Sequence, residues 1–269
     1  MADLIKVSYS GRVATITIDN GAKLNALDAD GYFALSQALR AVAARDDVYI
    51  TILTGKGRYF SAGADVSVGR AVPPTADPYR EWLRGFVSQN LNITDAFATH
   101  PKILIAALNG PVVGLSAALT AFADFVYAAP HTFLLTPFSS LGLVAEGGAS
   151  RALVQRLGIS KANEALLTSR RVTADELVAT GYVNRIFACK PGDDEVFMKQ
   201  VYAEVEDKLG EHLIGDSLLE IKKLIRRPER EVLERQNVAE VFAGLQRFMT
   251  GVPQQEFQKL ASGKKKHKL

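Results

Sequence analysis

Two short glycine-punctuated turns, each entered from an apolar run that reads as a strand, constrain this chain more than any other feature of it. The first is Phe60-Ser61-Ala62-Gly63-Ala64-Asp65, and the second, about fifty residues on, is Asn109-Gly110-Pro111-Val112-Val113-Gly114-Leu115-Ser116. At a strand-to-helix turn the first main-chain N–H groups lack partners and the helix dipole favours negative charge, so each turn can hold a negative oxygen. An isolated acid follows in Ala145-Glu146-Gly147-Gly148. Two amide donors facing one carboxylate would suit a carbonyl that becomes an enolate.

The rest of the chain alternates strands with helices, which predicts an α/β fold. Ile5 to Tyr9 and Val13 to Ile18 alternate with period two around Gly11 and read as a hairpin. Asp28 to Ala44 reads as a helix, because Leu35, Ala38, Leu39 and Val42 recur at i, i+3, i+4 and i+7. Val48 to Thr54 and Ile103 to Leu108 are buried strands. Between them, Gly69 to Asp77 is a Pro- and Ala-rich loop, followed by a helical stretch carrying Trp82, Phe86, Leu91 and Phe97. A short helix at Ser116 to Phe122 and a strand at Phe125 to Ala128 come next. Gly147 and Gly148 open a helix that ends at Gly158, and Thr173-Ala174-Asp175-Glu176 is a capping box for one closing near Gly181. From Asp193 onward nearly everything is helical, including Ser217 to Arg226 and Glu229 to Phe248. A helical third without strands of its own is expected to pack on a neighbouring copy. The domain reading is a core over 1–195, a helical association region over 196–263 and a basic tail over 264–269.

Composition excludes several classes. The net charge is +3, but Lys264, Lys265, Lys266 and Lys268 alone contribute +4, so the remainder sums to −1 and no nucleic-acid binder is expected. The lone Cys189 rules out an internal disulfide framework and reads as a packing residue. His100, His131, His212 and His267 show no metal-ligand spacing. Neither a secretory leader nor an apolar run of membrane-spanning length is evident. The final His267-Lys268-Leu269 is a variant of the Ser-Lys-Leu tripeptide read by the peroxisomal import receptor, or else part of a solvated basic tail.

Several motifs in order carry a resemblance to a known family. The Phe-Ser-Ala-Gly-Ala-Asp turn, the Asn-Gly-Pro-x-x-Gly-Leu-Ser-Ala-Ala turn, Lys23-Leu24-Asn25-Ala26-Leu27, and Ser169 to Ala174 through Gly181-Tyr182-Val183-Asn184 resemble the crotonase, or enoyl-CoA hydratase/isomerase, superfamily. The resemblance spans about Ile5 to Leu224. It implies a crotonase-like spiral of ββα units in two sheets, a helical C-terminal trimerisation region, and an acyl-CoA thioester substrate. The implied oligomer is a homotrimer or hexamer, and no separate cofactor is implied because coenzyme A belongs to the substrate.

Within that resemblance the amides of Ala64 and Leu115 hold the thioester oxygen. Family hydratases use two glutamates, and the matching positions are Ala118 and Phe138, so water addition should be impaired. Glu146 lies where the yeast-type peroxisomal Δ3,Δ2-enoyl-CoA isomerases, in a similar Leu-x-x-Glu-Gly-Gly context, place their catalytic glutamate. A double-bond shift needs one base, taking a proton from C2 and returning one to C4. Such a base should be partly desolvated by neighbours such as Phe138, Leu143 and Val144. Taken alone, Glu146 would serve equally as a helix-dipole partner. Asn90 either orients the glutamate or the substrate, or is a surface amide. Lys23 and Ala26 are expected near the adenosine, the Ala62 main chain at the adenine, and Asp65 in support of its turn. Lys56 or Arg58 would meet phosphate or form a solvated basic turn. Dienoyl-CoA isomerase and hydratase activities are alternatives inside the superfamily. Outside it stand a CoA-binding scaffold without turnover and a serine hydrolase built on Ser116, Asp124 and His131. The targeting tripeptide favours the peroxisome, with the cytoplasm as the alternative.

Overall fold

The structure, a computed structural model, describes residues 4–68 and 72–267. Strands β1 (Ile5–Ser10) and β2 (Val13–Ile18) form an antiparallel hairpin in register Ile5↔Ile18 to Ser10↔Val13, turned at Gly11, whose φ of 53° suits glycine. Helix α1 (Ala29–Ala43) begins where the Asp28 side chain accepts from the Gly31 amide at 2.8 Å, and it buries Leu35, Leu39 and Val42. It crosses over to β3 (Ile50–Gly55), which lies parallel to β2. Helix α2 (Pro78–Trp82), capped by Asp77, runs through a wide π-helical turn at Leu83–Val87 into α3 (Ser88–Ala98) and thence to β4 (Ile103–Leu108), parallel to β3. Residues 72–77 of the expected loop lack regular structure; 69–71 lie outside the described residues.

All six positions of β3 and all six of β4 are buried, because the sheet is covered on both faces. On one face Leu53, Leu104 and Ala106 join Leu35 and Leu39 of α1. On the other, Ile50, Ile52, Ile103 and Ile105 pack against Phe197, Val201 and Val205 of the long helix that follows the sheet. The short β5 (Val112–Val113) and α4 (Gly114–Leu119) form the second glycine turn. They precede β6 (Phe125–Ala128), β7 (Phe133–Leu135), α5 (Ala149–Leu157), α6 (Ile159–Thr168), β8 (Arg171–Thr173), α7 (Ala174–Ala179) and β9 (Arg185–Ile186). The capping box at Thr173 and Glu176 is made as expected.

The chain thus forms a six-stranded sheet of order β1-β2-β3-β4-β6-β9 and a three-stranded sheet of order β5-β7-β8. The resemblance implied two sheets, but the strands of the second carry no pattern of their own, since two or three residues show no measurable period. The remaining helices are α8 (Asp194–Leu209), α9 (Gly215–Arg226), α10 (Arg230–Met249) and α11 (Val252–Ala261). Among the described residues no helix is long and apolar enough to cross a membrane, and no three His, Cys, Asp or Glu side chains are grouped to hold a metal.

One core group makes stability depend on pH. His100 is buried between α3 and β4, with Nε2 2.8 Å from the Thr51 hydroxyl. Burial, helped by the charges of Lys222 and Lys102 and opposed by Asp124, lowers its pKa to about 3. Between that value and the unfolded histidine value near 6.5 the unfolded chain binds the extra proton, so acidification through this window favours unfolding, by up to about tenfold in the folding equilibrium per pH unit. Urea denaturation curves should show stability falling as pH drops below about 6.5, and His100→Gln should flatten that dependence while keeping a partner for Thr51.

Candidate active site

The two glycine turns are pressed together. The Val113 amide donates to the Ser61 carbonyl at 2.9 Å, and the Ser61 amide to the Pro111 carbonyl at 3.3 Å. Gly63 has φ 85°, and a Cβ there would lie 2.7 Å from the Val113 carbonyl oxygen; Gly114 has φ 63°. Only glycine permits both the backbone conformation and this approach. On the outer side of the first turn, Leu27 N donates to the Gly63 carbonyl and Asp65 N to the Leu27 carbonyl, each at 2.9 Å. The alternation of an extended chain then turns the amide of Ala64 away from Leu27. Leu115 is the second residue of α4, whose N-cap Val113 offers no side-chain acceptor. Among the described residues neither amide donates to a main-chain carbonyl, and both residues line a cavity of about 310 Å³.

A buried chain of hydroxyls fixes the pair. Ser61 Oγ donates to the Asn25 carbonyl at 2.8 Å and accepts the Gly63 amide at 3.1 Å. Its one proton is thereby used, so Ser116 must donate to Ser61 across 2.9 Å, and Tyr32 to Ser116 across 3.0 Å. Asn25 in turn binds the Lys56 and Tyr59 carbonyls through its amide, pinning the Lys23–Leu27 loop to the end of β3. None of the sequence motifs identified Tyr32, which lies on a helix face that reads simply as core.

Glu146 lines the same cavity and is 8% exposed. Its Oε2 accepts from Asn90 Nδ2 at 3.2 Å, and the Thr94 hydroxyl, 3.5 Å from Asn90 Oδ1, favours the rotamer that points the amide nitrogen at the acid. Asn90 is 4% exposed and therefore no surface amide. Phe138 and Leu143 share the cavity wall with Glu146, whereas Val144 does not line it. The two other carboxylates on that wall are committed elsewhere. Asp28 caps α1, while Asp65 binds Lys23 Nζ at 2.5 Å and the Ser67 amide at 2.9 Å. Burial would raise the pKa of Asp65, but Lys23 and Ser67 outweigh it and hold the carboxyl below its ordinary range. Asp65 thus ties Lys23 to the turn that follows Ala64. The Ala62 amide is taken by the Leu24 carbonyl at 2.9 Å, and Ala26 is buried behind the cavity wall. Lys56 reaches Asp19 at 3.2 Å.

Beyond Glu146 the cavity wall is mainly apolar. Trp82 stacks on Phe248 with ring centroids 4.3 Å apart, Phe86 lies 4.7 Å from Phe248, and Phe257 and Leu260 of α11 add to the wall. The sequence marked Trp82 and Phe86 as helical but gave no sign that the C-terminal helices reach the site, because nothing local links residues so far apart. His267 lines the cavity too; Lys268 and Leu269 of the terminal tripeptide lie outside the described residues.

The profile of the enoyl-CoA hydratase/isomerase family matches residues 8–245. The chain belongs to this family, the crotonases. It is 65% identical, over the whole of both chains, to a Δ(3,5)-Δ(2,4)-dienoyl-CoA isomerase of Pyricularia oryzae. It is also 34% identical to the 3,2-trans-enoyl-CoA isomerase of Saccharomyces cerevisiae, over 98% of this chain and 97% of that one. The mouse protein called enoyl-CoA delta isomerase 3, peroxisomal, is 30% identical over 96% of this chain and 76% of its own length. Among solved structures, that of Pseudomonas aeruginosa OdaA superposes with a TM-score of 0.82 at 27% identity, covering 96% of this chain and 99% of that one. The isomerase relatives make this crotonase an enoyl-CoA isomerase in the broad sense.

Ala118 and Phe138, which the resemblance set against the hydratase glutamates, are both buried. The serine-hydrolase alternative fails on geometry. Ser116 is 4% exposed and bound to Ser61 and Tyr32, Asp124 is held by Lys222 at 2.7 Å and Arg226 at 2.8 Å, and His131 Nε2 sits 3.0 Å from the Asn109 carbonyl. The three never meet as a triad. Gly63→Ala should force the turns apart: the left-handed φ and the contact with Val113 together should cost about 1–3 kcal/mol, visible in thermal unfolding, and isomerase turnover should fall by about tenfold or more in a spectrophotometric assay.

Proposed function

We propose that the protein moves the double bond of a 3-enoyl-CoA to the trans-2 position, with Glu146 as the acid–base group and the amides of Ala64 and Leu115 as the oxyanion hole. The observation that carries this reading is the placement of Glu146. It lies in the cavity wall, its carboxylate accepts from the buried Asn90, and it shares the cavity with Ala64 and Leu115, whose amides donate to no main-chain carbonyl among the described residues. The thioester oxygen accepts both N–H groups. Glu146 removes a C2 proton, the electrons of that C–H bond pass into a dienolate, and the negative charge collects on the oxygen the amides hold. Each such donor contributes roughly 3 kcal/mol in the transition state. The protonated Glu146 then returns its proton to C4 as the double bond forms between C2 and C3. Electrons are conserved, so the step calls for no redox carrier, and coenzyme A arrives with the substrate.

Apolar side chains at Ala118 and Phe138 disfavour hydration, which needs a second acid to handle water. The 65% identity to a dienoyl-CoA isomerase favours a second reading, in which a 3,5-dienoyl-CoA becomes a 2,4-dienoyl-CoA. There the proton leaves C2 and one is delivered to C6, farther along the chain than C4. C2 and C4, separated only by C3, suit a single carboxylate better than C2 and C6, and on that ground the enoyl shift is placed first.

The nucleotide half of the substrate is assigned to the Lys23–Ala26 loop and the Ala62 main chain, with Lys23 presenting its charge beside Asp65. Copies of the chain would associate as trimers or pairs of trimers through the C-terminal helices, where Ile221, Leu224 and Ile225 of α9 are exposed. The His267-Lys268-Leu269 ending would direct import into peroxisomes through the receptor for such tripeptides.

Purified protein should convert 3-enoyl-CoA to 2-enoyl-CoA, separated chromatographically, and Glu146→Gln should lose at least about a hundredfold in kcat. Faster turnover of 3,5-dienoyl-CoA in parallel reactions would transfer the assignment to the second reading. A first product of 3-hydroxyacyl-CoA would overturn both.

A further inference from the structure

Glu240 is a buried carboxylate that the mechanism does not use. It sits on α10, about ninety residues after Glu146, and is 5% exposed. Its Oε2 accepts the Gly148 amide at 2.7 Å, and its Oε1 accepts the Ser150 amide at 2.7 Å together with the Ser150 hydroxyl. Gln236, one helical turn earlier, donates to the same hydroxyl at 2.8 Å. These groups make up the start of α5, the helix entered from the Glu146-Gly147-Gly148 turn.

That turn is closed by one main-chain bond, from the Ala149 amide to the Glu146 carbonyl at 3.2 Å, and has no side-chain cap of its own. Gly147 and Gly148 both have left-handed φ values, 67° and 73°, and the N-cap of α5 is Gly148, which has no side chain to offer. The turn is wedged between two elements. A Cβ on Gly147 would lie 2.6 Å from Leu115 Cδ1, and one on Gly148 would lie 2.8 Å from Phe122 Cζ and 3.4 Å from Leu233 Cδ2 of α10. An N-terminus without its own cap is normally satisfied by water or by a side chain from elsewhere. Here a carboxylate from α10 serves, at the pole of the helix dipole where negative charge is favoured. Taking a carboxylate out of water is costly unless its hydrogen bonds are met, and here they are met by Gly148, the last residue of the turn, and by Ser150.

We infer that Glu240 is a positioning residue for Glu146: by clamping the Gly148 and Ser150 amides it sets the turn that aims the Glu146 carboxylate across the oxyanion hole. This rests on the assignment of Glu146 as the acid–base group. A displacement of about 1 Å at that carboxylate would cost catalysis far more than binding, since CoA is held elsewhere. Glu240→Gln is the informative variant. Its side chain has the same shape, but one of its two terminal atoms becomes a donor facing a donor, so one arm of the clamp opens.

The test uses the full-length protein with Glu240→Gln, Glu146→Gln and both together, with 3-enoyl-CoA as substrate and unfolding temperature as a check. Positioning predicts that Glu240→Gln lowers kcat by about tenfold or more with KM changed less than about twofold, and adds no further loss in the Glu146→Gln background. Amide hydrogen exchange of the peptide spanning Glu146 to Ser150 should speed up by about tenfold or more, a readout independent of turnover. Should Glu240→Gln not fold, Ser150→Ala, which removes only the hydroxyl partner, should lower kcat at constant KM to a smaller degree. Unchanged kcat in folded Glu240→Gln or folded Ser150→Ala, unchanged exchange, or an equal proportional loss in both backgrounds would overturn the inference. Full activity of Glu146→Gln would instead sink the role given to Glu146, and that outcome is read without touching Glu240.

Discussion

The candidate site depends on the contact of two backbones at Gly63 and Val113. With 2.7 Å from the place of a missing Cβ to a carbonyl oxygen, the two turns sit as close as main chain allows, and their amides come to line one cavity. Everything else about the site follows from holding that contact. The Ser61–Val112 bridge ties the strands that lead into it, and the Tyr32–Ser116–Ser61–Asn25 relay locks it from behind with each hydroxyl proton committed in one direction. Using main-chain donors leaves the residues at 64 and 115 free to be small and apolar, which keeps the cavity dry enough for a developing charge to matter.

Around that fixed pair the chain distributes its other work by distance. The loop after β2 supplies the exposed cation Lys23, the helical run through the π-helical turn supplies Asn90 and the aromatic wall, and the long C-terminal helices close the apolar end with Phe248 and Phe257. The acid enters from a turn that is itself braced from two sides, by α4 and by α10. The proposed reaction, which moves one proton from C2 to C4, asks for this combination: one carboxylate of fixed aim and an oxygen site that does not have to reorganise.

The long elements were legible because their signals are local. The β1–β2 hairpin, α1, β4 and the capping box at Thr173 rest on period, propensity and caps within a dozen residues, and the structure has them within a residue or two. Asn90 was legible as a site residue only through a resemblance, and its burial decided between orienting Glu146 and facing water. The strands of the second sheet left no readable pattern, since β5 has two residues and β7 and β8 have three each. Glu240 and Phe248 were equally hidden: on a helical wheel a glutamate and a phenylalanine of α10 say nothing about which helix they meet.

By itself the sequence determined that two glycine turns would each end a buried strand, that a lone acid would precede a glycine-opened helix, and that the hydratase positions carry no acid. Those are statements about chain conformation and residue chemistry, fixed by neighbours in sequence. Only the tertiary structure decided that Ser116 is a relay hydroxyl rather than a nucleophile, that Asp28 caps a helix, Asp65 holds Lys23 and Glu146 meets Asn90 in the cavity wall, and that α10 braces the turn beneath it. A hydrogen-bond donor or a carboxylate is the same group in any chain, and what it does is set by which partners reach it across tens of residues.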